Sequence, residues 1–175
     1  MSDREMHPVI FTVDYQGEPG RRSFFLQARD QSDTLSFEVE KQQVSLLAEK
    51  LTEMMLLVDA ADPVAENHAA RDPALAAVWT EPEFRVGSIG LGYDQDEDVL
   101  SLVLESFVPE DPPETEDPAE EPASVTLYLR RDQVRAFILH ANGIVSEGRP
   151  LCPLCGLPID PAGHLCPASN GHHPH

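Results

Sequence analysis

The stretch that decides the fold is Phe37–Ala48, FEVEKQQVSLLA, because the chain carries a second version of it at Leu127–Ile138, LYLRRDQVRAFI. The two align without a gap. Each is an alternating strand, a charged pair, then Gln-Val opening a helix. In the first, Leu35, Phe37 and Val39 share one face, while Ser36, Glu38 and Glu40 share the other, the period-two pattern of a half-buried strand. Val44, Leu47, Ala48, Leu51, Met55 and Val58 then recur at helical spacing. In the second, Val125, Leu127 and Leu129 make the strand, and Val134, Phe137, Ile138 and Ala141 the apolar helix face. Asp132 is placed as the helix N-cap.

Working backward, each junction is preceded by two more strands. Phe11, Val13 and Tyr15 alternate with polar residues, Gly17-Glu18-Pro19-Gly20 is turn chemistry, and Arg22–Ala28 is the next strand. In the second half, Phe84–Tyr93 is a Gly-rich strand expected to be bulged or close-packed. Asp94–Asp98 is a turn, and Leu100, Leu102 and Leu104 line the strand after it. Setting Phe11-Thr12-Val13 against Phe84-Arg85-Val86 completes a duplicated β-β-β-α unit. The expected fold is α+β: antiparallel sheet, in one piece or two, with two covering helices and a small C-terminal zinc-knuckle tail. The first unit is residues 1–58 and the linker, Pro- and Ala-rich, is 59–82. The second unit is 83–148 and the tail 149–175. Within the second, residues 109–122 are PEDPPETEDPAEEP, seven carboxylates without a basic residue, a composition expected to stay disordered.

The 175 residues carry a formal charge of -19. Such a field repels phosphate backbones and anionic membranes, so neither nucleic acid nor membrane is an expected partner. The N-terminal MSDREMHPVIF lacks a leader's apolar run, and no apolar stretch is long enough to cross a bilayer, which places the protein in the cytoplasm.

All three cysteines fall in the tail, CPLCGLPIDPAGHLCPASNGHH, Cys152–His173. The spacing C-x2-C-x8-H-x-C brings Cys152, Cys155, His164 and Cys166 within reach of one tetrahedral zinc ion. His172 is the alternative fourth ligand, but it lies in a terminal HHPH run that should fray, so an ordered His164 loses less entropy on binding. A redox dithiol would open a helix after a strand, which Pro153 disfavours. A catalytic zinc would keep an open position and a nearby base; Asp160 stands beside Pro161 and reads as turn chemistry. A structural zinc is the expected cofactor: the tail has too few apolar residues to fold unaided. Arg21, Arg22 and Arg29 form a second candidate site, for an anion, around the first hairpin. No residue is assigned a catalytic role; His7 and His140 stand alone.

Three pieces resemble the actinobacterial DUF3090 family of uncharacterised proteins: GEPGRRSFFLQAR, EVEKQQVSLLAEKL, and the tail CPLCGLPIDPAGHLCP with NG after it. They are joined by Phe84-Arg85-Val86-Gly87. The resemblance spans essentially the whole chain. The family's GHxCP signature falls on Gly163–Pro167, which supports His164 as a ligand. The resemblance carries no activity. It implies a small cytoplasmic protein often encoded beside a phosphoglycerate-mutase-like phosphatase and a kinase-like protein, either of which is a candidate partner. The leading expectation is a non-enzymatic binding or adaptor module. The rival is a metal-dependent or anion-binding enzyme using the zinc or the Arg21/Arg22/Arg29 hairpin.

Overall fold

The alternating segments form strands where they were expected in the computed structural model, which describes residues 3–18, 20–61, 80–109, 122–146, 153–154 and 166. The order is β1 (Asp3–Met6), β2 (Ile10–Gln16), β3 (Ser23–Arg29), β4 (Thr34–Val39), α1 (Lys41–Ala61), β5 (Phe84–Asp94), β6 (Val99–Ser106), β7 (Ser124–Arg130) and α2 (Arg131–Ser146). The fold is α+β: one mixed seven-stranded sheet and two helices. Residues 110–121, most of the acidic segment, lie outside the described residues, as does most of the 59–82 linker, of which α1 takes the first three residues. Among the described residues, no helix is long and apolar enough to cross a membrane.

The strand order is β1-β7-β6-β5-β4-β3-β2. β1 and β2 therefore lie at opposite ends, although only His7, Pro8 and Val9 separate them in sequence. Four Cα steps reach at most about 14 Å, whereas a flat seven-stranded sheet would hold its edges about 29 Å apart. The sheet must curl until its ends meet. Following the pairings round the sheet, β1 and β2 point the same way. They are two halves of one bent strand, the first pairing in parallel with β7 and the second antiparallel with β3. Pro8 sits at the bend, where its missing N–H removes a rung from either ladder.

β5 repeats the device without a break. Phe84 and Arg85 pair in parallel with β4, and the rest of the strand pairs antiparallel with β6 after a register shift between Val86 and Ser88. Gly87 makes the shift possible: a Cβ there would come within 2.8 Å of the Phe107 backbone. The parallel pairings were not expected; that of β4 with β5 arises because α1 crosses over to start the next strand in the same direction, and that of β7 with β1 joins the two ends of the strand order.

The registers of the two halves correspond residue for residue, as a duplicated unit would require. Phe37 opposite Phe84 answers to Leu127 opposite Met6. Ile10 opposite Arg29 answers to Ser88 opposite Glu105, and Phe24 opposite Val39 to Leu100 opposite Leu129. This sets Phe84 against Met6 and Ile89 against Phe11. It corrects the sequence alignment of Phe84 with Phe11, which matched residue types across a strand whose first half was too short and too charged to be seen.

The junction itself behaves alike twice. Gln43 accepts the Glu40 N–H at 2.8 Å and donates to the Val86 carbonyl at 3.1 Å. Gln133 accepts the Arg130 N–H at 2.9 Å and donates to the Pro8 carbonyl at 2.7 Å. Each glutamine occupies the third helical position and caps the residue before the helix. The N-cap of α2 is thus Arg130, not Asp132. Gln133 is buried, so Gln133→Leu should strand the Pro8 carbonyl and the Arg130 N–H and cost about 1–3 kcal/mol. Gln43→Leu, in a wetter site, should cost less; urea unfolding of the two variants checks the order.

One apolar cluster joins the alternate residues of the strands to the helices' inner faces, with Phe11, Leu26, Phe37, Leu51, Leu102, Leu127 and Phe137 fully buried within it. Phe24 is core and its neighbour Phe25 half-buried on the opposite face.

Candidate functional site

The tail's ligand set falls almost wholly outside the described residues. Cys152, Cys155, His164 and the alternative His172 are not among them. Cys166, the third thiol of the pattern, is buried, and Pro153 and Leu154 lie in a turn between the first two thiols.

The arginine trio is drawn out along β3. Arg21 and Arg22 stand at the β2–β3 turn, where Gly17 and Gly20 take positive φ. Arg29 ends the strand and pairs with Ile10 and Thr34, roughly 20 Å away at the ordinary rise of a strand. Arg22 lays its guanidinium over the Tyr15 ring, 4.0 Å from its centre, so much of its surface goes into a cation–π contact. His140, which stood alone in the sequence, lies beside the Val13 carbonyl at 3.0 Å, and His7 stacks on Tyr128 at 4.7 Å.

A polar cluster that the sequence did not single out holds one end of the molecule together. Arg131, the first residue of α2, is only 4 % exposed. Its Nε donates to Asp98 at 2.6 Å, one terminal nitrogen to the Tyr93 hydroxyl at 3.0 Å, and the other to Asp59 at 3.3 Å. Tyr93 donates in turn to Asp98 at 2.8 Å, and Arg135 grips both oxygens of Asp59 at 2.6 and 2.7 Å. The cluster thereby ties the end of α1, the β5–β6 turn and the start of α2. Burial works against the charge of Arg131, but its bonds to Asp98 and Tyr93 more than compensate and hold its pKa above the usual arginine range. The bond to Asp98 raises the Tyr93 phenol in the same way, helped by partial desolvation. Asp98 takes φ 53°, a left-handed conformation that a short polar side chain tolerates, and the turn before it is fixed by Asp94 accepting the N–H groups of Asp96 and Glu97. The signal in sequence was faint, because the partners of Arg131 are distant in sequence and nothing local names them.

A second unanticipated feature is a buried polar row across β2, β3 and β4. Thr12 stands opposite Gln27, and Gln27 opposite Ser36, on the face away from the apolar core. All three are buried, so this face too is covered.

The third is a groove of about 230 Å³ between α1 and β5, lined by Gln43, Leu46, Leu47, Lys50, Gly87, Ile89 and Leu91.

No curated protein matches the chain, and neither does any solved structure. One family model does, over residues 6–166, described as a protein of unknown function, DUF3090. The match starts at the last residue of β1, covers the remaining strands and both helices, and ends on Cys166. On that evidence the chain belongs to the DUF3090 family.

Proposed function

We propose that this protein is a cytoplasmic, non-enzymatic binding module whose C-terminal tail is stapled by a structural zinc held by Cys152, Cys155, His164 and Cys166. The observation that carries the metal is the C-x2-C-x8-H-x-C spacing inside the family match, which takes in all four residues and stops before His172. The chemistry is that of a clasp. Zinc binding would order a segment short of apolar surface, and its free energy would become folding free energy for the tail. The net charge of -19 favours a partner with a basic surface; the kinase-like or phosphatase-like protein implied by the family resemblance is a candidate.

Metal analysis tests the clasp. The purified chain should carry one zinc, and Cys155→Ser should lose it while the helices and sheet keep their far-ultraviolet circular dichroism. Stoichiometric zinc in Cys155→Ser would rule this ligand set out. The binding role is tested by affinity capture from native cytoplasm, with a stoichiometric, salt-sensitive protein partner as the expected result.

A further inference from the structure

The groove beside β5 has a counterpart in the other half of the molecule, and there it is closed. By the register correspondence, Gln43, Leu46, Leu47 and Lys50 of α1 answer to Gln133, Ala136, Phe137 and His140 of α2. Gly87, Ile89 and Leu91 of β5 answer to Val9, Phe11 and Val13. Where α2 meets β2, Phe137 and Phe11 stack at 4.7 Å and are both buried. His140 reaches the Val13 carbonyl at 3.0 Å. The open margin of β2 is thus sealed by a helix.

Where α1 meets β5 the seal is missing. Leu47 and Ile89 replace the two rings and leave space between helix and strand. Leu46, in place of a buried alanine, is 54 % exposed. Ile89 and Leu91 are only partly buried. Lys50, in place of His140, turns to Glu53 at 2.8 Å. Beyond Arg85, no described strand pairs with β5 on the side away from β6. Edge strands are ordinarily blunted by a lysine, a proline, a bulge or a cover; the register shift of β5 lies before Ser88, and Ser88–Tyr93, SIGLGY, pairs with β6 without a further shift and carries neither lysine nor proline. The cavity is also smaller than the roughly 300–1,000 Å³ of small-molecule sites, a size that suits one or two side chains. Carboxylates flank the edge at both ends: Glu81 and Glu83 before it, where Arg85 is already paired with Glu40, and Asp94, Asp96 and Glu97 after it.

We propose that the open edge of β5 takes an extended segment of a partner protein as an added strand alongside Ser88–Tyr93, with a bulky apolar side chain in the groove under Leu46 and Leu47 and basic residues at both ends against the flanking carboxylates. Main-chain hydrogen bonds give such strand addition its affinity and the groove its selectivity. This rests on the binding-module reading and names its surface and partner chemistry.

The test uses the full-length protein and a labelled peptide, Lys-Lys-Ile-Thr-Phe-Thr-Val-Lys-Lys, followed by fluorescence anisotropy. Saturable binding that weakens with salt is expected. Leu47→Phe with Ile89→Phe copies the sealed seam and should weaken binding at least tenfold. Leu46→Gln, a change at an exposed position that should not perturb folding, should weaken it several-fold. Peptides with N-methyl groups on alternate residues, or with glutamate for lysine, should not bind. Equal binding to the double variant, equal binding of the N-methylated peptide, or no binding at millimolar peptide would overturn the proposal. So would a dimer of the native chain that Leu46→Gln dissolves, which would give the edge to a second copy. A partner captured from cytoplasm as well by the double variant as by the native chain would leave the binding module standing and remove this surface from it.

Discussion

Phe137→Ala should lower the unfolding free energy by about 3–5 kcal/mol, the usual cost of emptying a fully buried aromatic site. The ring is 1 % exposed and stacks on Phe11, so its loss removes the contact that seats α2 on β2. Collapse around the space is hindered because the margin of β2 is also held by Gln133 and His140, which fix the helix at a set distance. A small domain has only about 5–15 kcal/mol in hand, so the variant should unfold at a much lower urea concentration with little change in the slope of the transition. Leu139→Ala on the exposed side of the same helix should shift it by less than about 0.5 kcal/mol. Equal effects from the two would mean that α2 is not seated by this contact.

Arg131→Met should cost about 2–3 kcal/mol. The change keeps most of the volume but leaves Asp98 facing a neutral side chain and deprives Tyr93 of a donor, while Asp59 keeps Arg135. Breaking a buried ion pair costs roughly 3–5 kcal/mol. The figure is lower here because Asp98 is half exposed and Asp59 a third exposed, so water takes up part of the charge. Asp98→Asn in the Arg131→Met background should recover part of the loss, giving a coupling of about 1 kcal/mol in a double-mutant cycle. Strict additivity would show that Arg131 acts through packing alone.

The strands and helices were readable in the sequence because their patterns are local. Alternation at Leu35–Val39 and Val125–Leu129, and helical spacing from Val44 and Val134, need no knowledge of distant residues. β1 was not readable: DREM is four residues, three of them charged, and it is a strand only because β7 lies beside it. The parallel contacts of β4 with β5 escaped for the same reason, since two rungs leave no periodicity. Reading Asp132 as the cap followed residue preference, whereas Gln133 serves Arg130 through a side chain three positions on. Arg131 was read only as half of a charged pair, because Asp59 and Asp98 are far off in sequence. Of the four residues in the tail's C-x2-C-x8-H-x-C spacing, only Cys166 lies within the described structure.

The bend at Pro8 has a consequence for how the protein is made. The partner of Asp3–Met6, Ser124–Leu127, is translated more than a hundred residues after it. At ordinary elongation rates that is on the order of ten seconds of waiting with an unfilled flank. The first half cannot close its circle before Ser124–Leu127 has been made, so closure should be a late step, slow in the manner of chains whose widely separated parts must meet.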